Sequence, residues 1–583
     1  MIIIIICHLI GLAAKYILEG ERGMQKNIKK ILSILCAVIM ITAVLVGCSQ
    51  PGKTDTDSDS KPKQADANLD SQQEASEIKD ELILCMGTRP PGEFDPRKRW
   101  GLYSQSQILH DTLLTRNADL EIIGDFAKSY EVSDDALTWT FHLRDDYKFS
   151  NGEPVTAEDV KFSYEMLKED GKHWDLTFVD KIEIKDPQTM LFHLTEPRST
   201  FVAQLTEIVI LPKNHYDDNY AENPIGSGPY KLVQWDRDQQ AIFEVNPYYA
   251  GKEPHFKKFT LLFLDENAAL AAAKNGTVDM IYVLPEFADE KIPGWKIGSY
   301  ESNDVRGVSL PTQKSGSGTT PEGFDIGNDV TSDIAIRQAL YIGVDRQAIV
   351  DTVLNGHGKK AYSLVDKMPW WNEETAIEDN QVEKAITILE EAGWKDSDGD
   401  GIREKNGLKA EFNLYHASAD VIRTNTSIVV SEQAKKLGIN INLVGSNWDE
   451  IKTKMHSNAV LFAGGRHHPH QYYYMHHPDL AGMGYKNIVY MDNPKVTDYL
   501  NKAMYASTQE EANKYWKLSQ WDGKTGSSGL GDAPFVWLLR LDHLYAGDAR
   551  INVGNQPIHT HGHEWSLLAN VGEWTWDADA LNK

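Results

Sequence analysis

Residues 128–167 show the clearest alternation of apolar and polar positions in the chain. Residues 138–143 (TWTFHL) alternate β-branched or aromatic residues with polar ones, which predicts a half-buried strand. Asn151-Gly152 predicts a turn. Thr156 is placed to cap a helix, with Asp159 at the capping-box spacing. The apolar positions that follow at helical spacing are Val160, Tyr164 and Leu167. The stretch predicts an α/β module.

Three further stretches predict regular structure. Residues 82–86 predict a first strand, and residues 182–194 predict a strand–turn–strand with Asp186-Pro187 at the turn. Residues 332–345 predict a helix. Its expected buried face consists of Ile334, Gln338, Leu340 and Val344.

The N-terminal region has the pattern of an export signal. Residues 1–23 precede a better start at Met24, which is followed by three lysines and an apolar run over residues 31–46 that ends in LVGC at Cys48. The run is shorter than the roughly 20 residues of a spanning helix, and its ending resembles a lipobox. We therefore expect residues 1–47 to be a signal peptide, Cys48 to carry the lipid, and residues 48–80 to be a disordered polar tether.

Composition narrows the class of protein further. The chain has 583 residues, four cysteines and a net charge of −26. Cys85 is the one cysteine beyond Cys48, so no intrachain disulfide is expected. The acidic balance argues against nucleic acid and against broad contact with anionic lipid. The roughly 500 residues after the tether are too many for one core, so two or three lobes are expected.

Recognised catalytic motifs are missing from the sequence. His563-Glu564 is not followed by the second histidine of HExxH, no Gly-x-Ser-x-Gly occurs, and Cys85 has no catalytic signature. The glycine-rich residues 224–230 lack the Lys-Ser/Thr of a phosphate-binding loop. Residues 396–401 (DSDGDG) resemble the start of a calcium loop, but Gly407 stands where an EF-hand needs glutamate. We predict a turn there, with calcium binding as the alternative.

Several separate motifs closely resemble the family-5 extracytoplasmic solute-binding proteins, the peptide- and nickel-binding components of ABC importers. They are residues 128–167, 109–115 (LHDTLLT), 224–230 (PIGSGPY), 275–279 (NGTVD), 332–345 and 389–404. The resemblance implies an α/β, two-lobed, periplasmic-binding-protein-like fold of type II, with an extra inserted domain and a ligand cleft between the lobes. Ligand would be trapped by hinge closure and passed to an ABC permease and ATPase.

The resemblance also suggests domain boundaries. The first lobe would comprise residues 81–110, 205–305 and 530–583, the inserted domain residues 111–204, and the second lobe residues 306–529. Family members place a loop after the first strand at the ligand, which makes Thr88 and Arg89 candidate ligand-binding residues.

Residues 462–479 (FAGGRHHPHQYYYMHHPD) carry most of the information about the ligand. Peptide-binding relatives usually have an acidic residue here, but the matching positions are Arg466, His467 and His468. The run of histidines after Pro469 resembles the nickel-binding branch, and neutral imidazole is a good ligand for Ni, Cu and Zn. The predicted metal ligands are His470, His476 and His477. The other predicted ligand-binding residues are Trp448, Arg466, His467, Tyr472 and Tyr473.

A second histidine cluster, residues 559–563 (HTHGH), is expected close in space to the first. The sequence thus predicts a monomeric, lipid-anchored receptor on the outer face of the cytoplasmic membrane. It would have no catalytic activity and no cofactor. Its expected ligand is a nickel or other metal chelate, in preference to an oligopeptide, so nickel would be bound as transported ligand. The alternatives are a metal-dependent hydrolase and a surface lipoprotein without a transport role.

Overall fold

The computed structural model describes residues 79–87, 94–98, 108–170, 174–561 and 563–577. The predicted signal peptide, Cys48 and almost all of the predicted tether lie outside these ranges, as do Thr88 and Arg89. In the described ranges, no helix combines the length and the apolar character needed to cross a membrane.

Strands occur throughout the described chain. In chain order they are β1 (Glu81–Cys85), β2 (Leu114–Arg116), β3 (Ile122–Gly124), β4 (Ala127–Val132), β5 (Thr138–Leu143), β6 (Val179–Asp186), β7 (Thr189–Leu194), β8 (Tyr230–Asp236), β9 (Gln240–Val245), β10 (Lys258–Leu262), β11 (Met280–Val283), β12 (Trp295–Ser309), β13 (Gly358–Lys360), β14 (Glu404–Lys405), β15 (Leu408–Lys409), β16 (Glu411–Ala417), β17 (Asn440–Ser446), β18 (Ala459–Gly464), β19 (Phe535–Asp548), β20 (Ile551–Asn552) and β21 (Thr575–Trp576).

The α-helices are concentrated in the second half of the chain. They are α1 (Ala157–Asp170), α2 (Phe201–Gln204), α3 (Glu266–Lys274), α4 (Ile334–Gly343), α5 (Arg346–Leu354), α6 (Val382–Glu391), α7 (Val421–Lys435), α8 (Trp448–Lys454), α9 (His470–His476), α10 (Pro494–Met504) and α11 (Gln509–Gln520).

Two long antiparallel strands, β12 and β19, connect the two halves of the largest sheet. Within the described residues this mixed sheet has 11 strands in the order β17-β16-β18-β12-β19-β11-β1-β10-β9-β8, with β13 added on β19. The pairing of β12 with β19 shifts register between Glu301 and Val305. The part of β12 before this shift packs against hydrophobic clusters formed by β1 and β8–β11. We call this half of the sheet, with its clusters, the first lobe. The part of β12 after the shift packs against clusters formed by β16–β18 and the helices around them. We call this half the second lobe.

A separate four-stranded antiparallel sheet, β4-β5-β7-β6, forms a small subdomain with helix α1. Its hydrophobic cluster is made of residues between Leu113 and Ile210. The predicted strand over residues 138–143 is confirmed as β5, with alternating burial. The predicted cap is confirmed too: the Thr156 backbone N–H donates to Asp159 at 2.9 Å and the Asp159 N–H donates to the Thr156 hydroxyl at 3.4 Å.

Helix α4 confirms the predicted helix but corrects its buried face. Leu340 and Val344 are buried, whereas Ile334 is 43% exposed. Ile334 is the first residue after the cap Asp333, and the turns that follow bury Ala335, Ile336 and Ala339 instead. An apolar residue at the helix start was therefore wrongly assigned to the core.

The acidic residues 396–401 form the predicted turn. Asp396 accepts backbone hydrogen bonds from Gly399 and Gly401, at 2.8 and 3.1 Å. Carboxylate oxygens of Asp396, Asp398 and Glu404 lie within 4.8 Å of one another. The Lys409 ammonium contacts Asp398 and Asp400, so it supplies positive charge to this turn.

Candidate functional site

A cavity of about 1100 Å³ lies between the small subdomain, the first lobe and the C-terminal segment. Its volume is slightly above the usual range of ligand pockets, which measure about 300–1000 Å³. The loops that line it come from distant parts of the chain, as in most binding sites built on a rigid scaffold. Residues with ionisable side chains on its wall include His110, Asp111, Arg116, Glu207, His467 and His559.

One wall is held together by a buried charge cluster around Glu207, whose side chain is 8% exposed. His468 Nε2 lies 3.4 Å from Glu207 Oε1, and Arg466 lies 3.6 Å from Glu207 Oε2. Arg116 donates to the carbonyl oxygens of Leu120 and His467, at 2.8 and 2.9 Å. The cluster therefore joins the hairpin β2–β3 to the loop that follows β18.

Two neighbouring carboxyl groups, Asp111 and Asp125, also line the cavity. Burial, together with the nearby Asp125, raises the pKa of the Asp111 carboxyl well above its usual value. Asp125 accepts hydrogen bonds from the Thr112 backbone and the Tyr147 hydroxyl, at 2.8 and 2.9 Å. The cavity lining thus combines the Arg116 guanidinium with two carboxyl groups whose pKa values are raised by burial.

His467 and Arg466 are the predicted ligand residues nearest to this cavity among those described. His467 lines it directly, and Arg466 contacts the lining residue Glu207. Burial, with the Arg116 guanidinium adding to it, lowers the pKa of His467 to about 3. The ring is therefore neutral at pH 7, and its lone pair is available to a ligand.

Trp448, Tyr472 and Tyr473 do not line the cavity. Tyr472 and Tyr473 are buried in the second lobe, where Tyr472 pairs with the Ser527 hydroxyl and Tyr473 donates to Asn501 at 3.1 Å. Trp448 is half-buried, with the Arg423 guanidinium 5.0 Å from its ring centre. Their contacts are those of packed residues, and their role as ligand-binding residues stays a prediction.

The predicted metal ligands His470, His476 and His477 lie on or next to helix α9. His476 is 3% exposed, and its Nδ1 donates to the Tyr472 carbonyl at 2.8 Å. Both ring nitrogens of His477 are in use, with Asp479 N–H at 3.3 Å and Asn501 Oδ1 at 3.1 Å. His470 stands six residues before His476 on α9, which places the two about 120° apart around the helix axis. Among the described residues, the three do not form a group able to hold a metal ion.

The second histidine cluster lies next to the first, as predicted. The His561 backbone N–H donates to the Gly465 carbonyl at 2.9 Å, and His559 lines the cavity. His559 is 2% exposed and its backbone pairs with residues 301–303 of β12. Sequence reasoning named this cluster but did not identify His559 as a cavity residue, and it missed Asp111, Arg116 and Glu207. Asp111 lies in the motif LHDTLLT, which was the available signal.

The two lobes share the paired strands β12 and β19, and the cavity lies near these strands. This arrangement is typical of a solute-binding protein of the periplasmic type. The chain belongs to the bacterial extracellular solute-binding proteins of family 5, whose family model matches residues 121–480. This confirms the predicted family and fold class.

Individual relatives bind different ligands. Protein XP55 of Streptomyces lividans is 32% identical over 481 residues, covering 80% of this chain and 84% of its own. The oligopeptide-binding protein AppA of Bacillus subtilis is 29% identical, covering 60% of this chain and 65% of its own. The nickel-binding periplasmic protein of Escherichia coli is 28% identical, covering 60% and 68%.

Solved structures support the same fold. NikZ from Campylobacter jejuni in complex with Ni(L-His) superposes with a TM-score of 0.71 at 23% identity, covering 85% of this chain and all of that one. Bacillus subtilis AppA in complex with a nonapeptide gives 0.67 at 24% identity, covering 85% and 98%. At these identities the likeness concerns the fold.

Proposed function

We propose that this protein captures a small solute in the cavity beside the β12–β19 crossing and delivers it to an ABC permease and its ATPase. The family works with such partners and is extracytoplasmic. The cavity carries this proposal, because its walls come from the first lobe, the small subdomain and the C-terminal segment, and His467 reaches it from the loop after β18. A ligand that touches all three walls favours the closed arrangement by its extra contacts there.

We propose that the ligand is a metal chelate rather than a short peptide. The neutral ring of His467 on the cavity wall supports this ranking, because transition metals bind unprotonated imidazole. Residues 466–468 provide no carboxylate for a peptide amine, and the neighbouring Glu207 is already in contact with Arg466 and His468. The existence of both peptide-binding and nickel-binding relatives is compatible with either ligand.

Native mass spectrometry of the untagged protein, purified from cells grown in rich medium, tests the receptor proposal. We expect a retained ligand whose mass indicates a metal complex. A ladder of peptide masses with no metal would reverse the ranking but keep the receptor function. Absence of any retained ligand, together with no binding in calorimetric screens of peptides and chelates, would contradict the receptor function itself.

The proposed receptor is monomeric and held to the membrane through a lipid on Cys48. The LVGC sequence supports the anchor. Metabolic labelling with a radioactive fatty acid should mark the wild type and not Cys48→Ser. Equal labelling of both proteins would contradict the anchor.

We propose a transport role rather than catalysis. A hydrolase of the metal-dependent kind would need several metal ligands at the cavity. Among the described residues, the group of three potential ligands is Asp396, Asp398 and Glu404, on a turn that does not line the cavity. Turnover of a bound ligand that disappears on chelation of zinc would favour the hydrolase.

A further inference from the structure

A short segment crosses the boundary between the two lobes. Residues 559–561, which we call the strap, run beside β12 where its pairing with β19 shifts register after Glu301. The His559 backbone N–H donates to the Glu301 carbonyl at 2.9 Å, on the first-lobe side of this shift. The His561 N–H donates to the Gly465 carbonyl at 2.9 Å, in the loop that follows β18 of the second lobe. The strap is therefore hydrogen-bonded to both lobes.

A buried carboxylate fastens the strap to β12. Asp304 is 2% exposed, and its side chain lies 2.8 Å from His561 Nδ1 and is paired with the Arg306 guanidinium. His543 Nε2, on β19, lies 3.5 Å from the other carboxylate oxygen. Burial alone would raise the pKa of the Asp304 carboxyl, but its three partners together hold it well below its usual value. Asp304 is therefore ionised at neutral pH and accepts a hydrogen bond from His561 Nδ1–H.

The charges at the crossing balance when the histidine rings are neutral. The Arg306 guanidinium offsets the Asp304 carboxylate. A second ion pair, Asp420 with Arg423 at 3.0 Å, adds one charge of each sign nearby. A proton on His561 would add a positive charge without a counter-charge, because both Asp304 and Asp420 are already paired. An unpaired charge held away from water is costly, so the balanced arrangement disfavours the protonated ring.

His561 is the ring of this group that protons reach from solvent. Its side chain is 17% exposed, whereas His543 and His559 are buried. Burial lowers the pKa of the His561 ring, and the guanidinium groups of Arg306 and Arg423 lower it further. The Asp304 carboxylate opposes this shift without reversing it. The ring therefore stays neutral at a pH where an exposed histidine has begun to take up a proton.

His543 and His559 extend the group without supplying a counter-charge. Their Nδ1 atoms are 3.2 Å apart, and the rings of Tyr300 and Tyr545 lie 5.5 and 6.1 Å from that of His559. Burial, with His543 and His467 adding to it, holds the pKa of His559 well below its usual value. The other ion pairs beside the strap are Arg466 with Glu207 and Arg540 with Glu301. These charges already have partners, so they do not offset a proton on the strap.

We propose that the neutral His561 ring holds the strap in place, and that protonation of this ring in mildly acidic surroundings releases the strap and lets the lobes separate. This goes beyond the proposed function, because it concerns the scaffold and holds for any ligand. An exposed histidine has an ordinary pKa of about 6.5, so the released strap binds a proton more readily than the fastened one. The fastening is therefore fully present above about pH 6.5 and is weakened as the pH falls below it.

Hydrogen–deuterium exchange of the full-length protein, with no ligand added, tests the strap at about pH 7.5 and about pH 5.5, with rates corrected for intrinsic exchange at each pH. The amides of residues 559–561 report on the strap. The Ser199 amide reports on the lobes, because it donates to the Met504 carbonyl at 2.9 Å and so joins the small subdomain to the second lobe. In the wild type both should lose protection at the lower pH, by up to about tenfold, because this pH lies about one unit below the ordinary histidine pKa.

His561→Gln separates this ring from the other titrating groups. Its amide keeps a donor for Asp304 and stays neutral, so protection at the two pH values should agree. His215→Gln is the matched control, at an exposed histidine that lies 2.8 Å from Glu153 and outside the strap, and it should lose protection as the wild type does. Thermal unfolding checks the fold of each variant, and His561→Asn replaces His561→Gln if that protein does not fold.

Two results would overturn the proposal. One is equal protection of the wild-type strap at both pH values, which needs no variant. The other is an equal loss of protection in the wild type and in a folded His561→Gln protein. A loss confined to the strap, with Ser199 unchanged, would overturn its effect on the lobes. None of these results bears on ligand capture, which ligand retention tests separately.

Discussion

Arg116 and His467 are 351 residues apart in sequence, yet the Arg116 guanidinium donates a 2.9 Å hydrogen bond to the His467 carbonyl oxygen. The same guanidinium closes the hairpin β2–β3 by donating to Leu120 at 2.8 Å. One side chain therefore fixes the small subdomain against the loop that carries the candidate ligand residues.

Arg116→Ala should destabilise the protein by about 1–3 kcal/mol, because it leaves the partly buried carbonyl of His467 without its donor. Metal-complex affinity should fall as well, since the loop loses its support. Urea unfolding measures the first effect and calorimetry the second. Arg116→Lys is the matched variant: it keeps the charge but cannot donate to both carbonyls in the same planar geometry. Wild-type stability in Arg116→Ala would contradict the proposed coupling.

His476→Ala should lower stability while leaving ligand binding unchanged. The ring is packed against Tyr472, with ring centres 4.3 Å apart, and against Phe535 at 5.7 Å. Removing a buried ring of this size costs about 3–5 kcal/mol by analogy with other large-to-small core substitutions. His476→Phe should recover part of the loss because it refills the space. Chemical denaturation measures the stability, and calorimetry measures metal binding. Loss of metal affinity in a folded His476→Ala protein would support the metal ligand role predicted from the sequence.

Local structure was predictable because its causes are local. Thr156 and Asp159 are three residues apart, and their mutual hydrogen bonds need only the first turn of α1. The alternation over residues 138–143 records which side of β5 faces the cluster of the small subdomain. Such patterns can be recognised in a single sequence, because they do not depend on which distant residues pack against them.

The site was less predictable because its residues meet through tertiary contacts. His476 and His559 look alike in sequence, each within a histidine-rich stretch, but one packs in the second-lobe core and the other lines the cavity. The difference arises from the hydrogen bonds of each ring, to the Tyr472 carbonyl for His476 and to His543 for His559. Composition and spacing carry no information about those partners.

Gly465→Ala should disrupt the site through the backbone. Gly465 directly precedes Arg466, its φ is +148°, and an added Cβ would meet the Asn303 carbonyl oxygen at 1.8 Å. That contact would push the loop after β18 away from β12, so stability and ligand affinity should both decrease. Gly318→Ala is the control, since its φ is +131° but an added Cβ meets no atom of the structure within 4 Å. Equal unfolding midpoints for the two variants would show that backbone strain, rather than the close approach, accounts for the effect.

Asp366 should make stability depend on pH. Burial raises the pKa of this carboxyl to about 7, although the backbone N–H of Tyr362 donates to it at 2.7 Å and Arg540 and Arg346 lie nearby. Between about pH 4, the ordinary value for aspartate, and about pH 7, the folded protein holds a proton that the unfolded chain has released. The contribution of Asp366 is therefore fully present at low pH and is lost as the pH rises through this window.

Asp366→Asn isolates that contribution, because the amide stays neutral at every pH and its oxygen still accepts from the Tyr362 N–H. The variant should gain free energy of unfolding relative to the wild type as the pH is raised from 4 to 8, by up to a few kcal/mol for a shift of this size. Urea unfolding at several pH values measures the difference. Asp119→Asn, in the exposed part of the hairpin β2–β3, should show no such trend. A constant difference between Asp366→Asn and the wild type across the range would mean that Asp366 is already ionised in the folded protein at low pH.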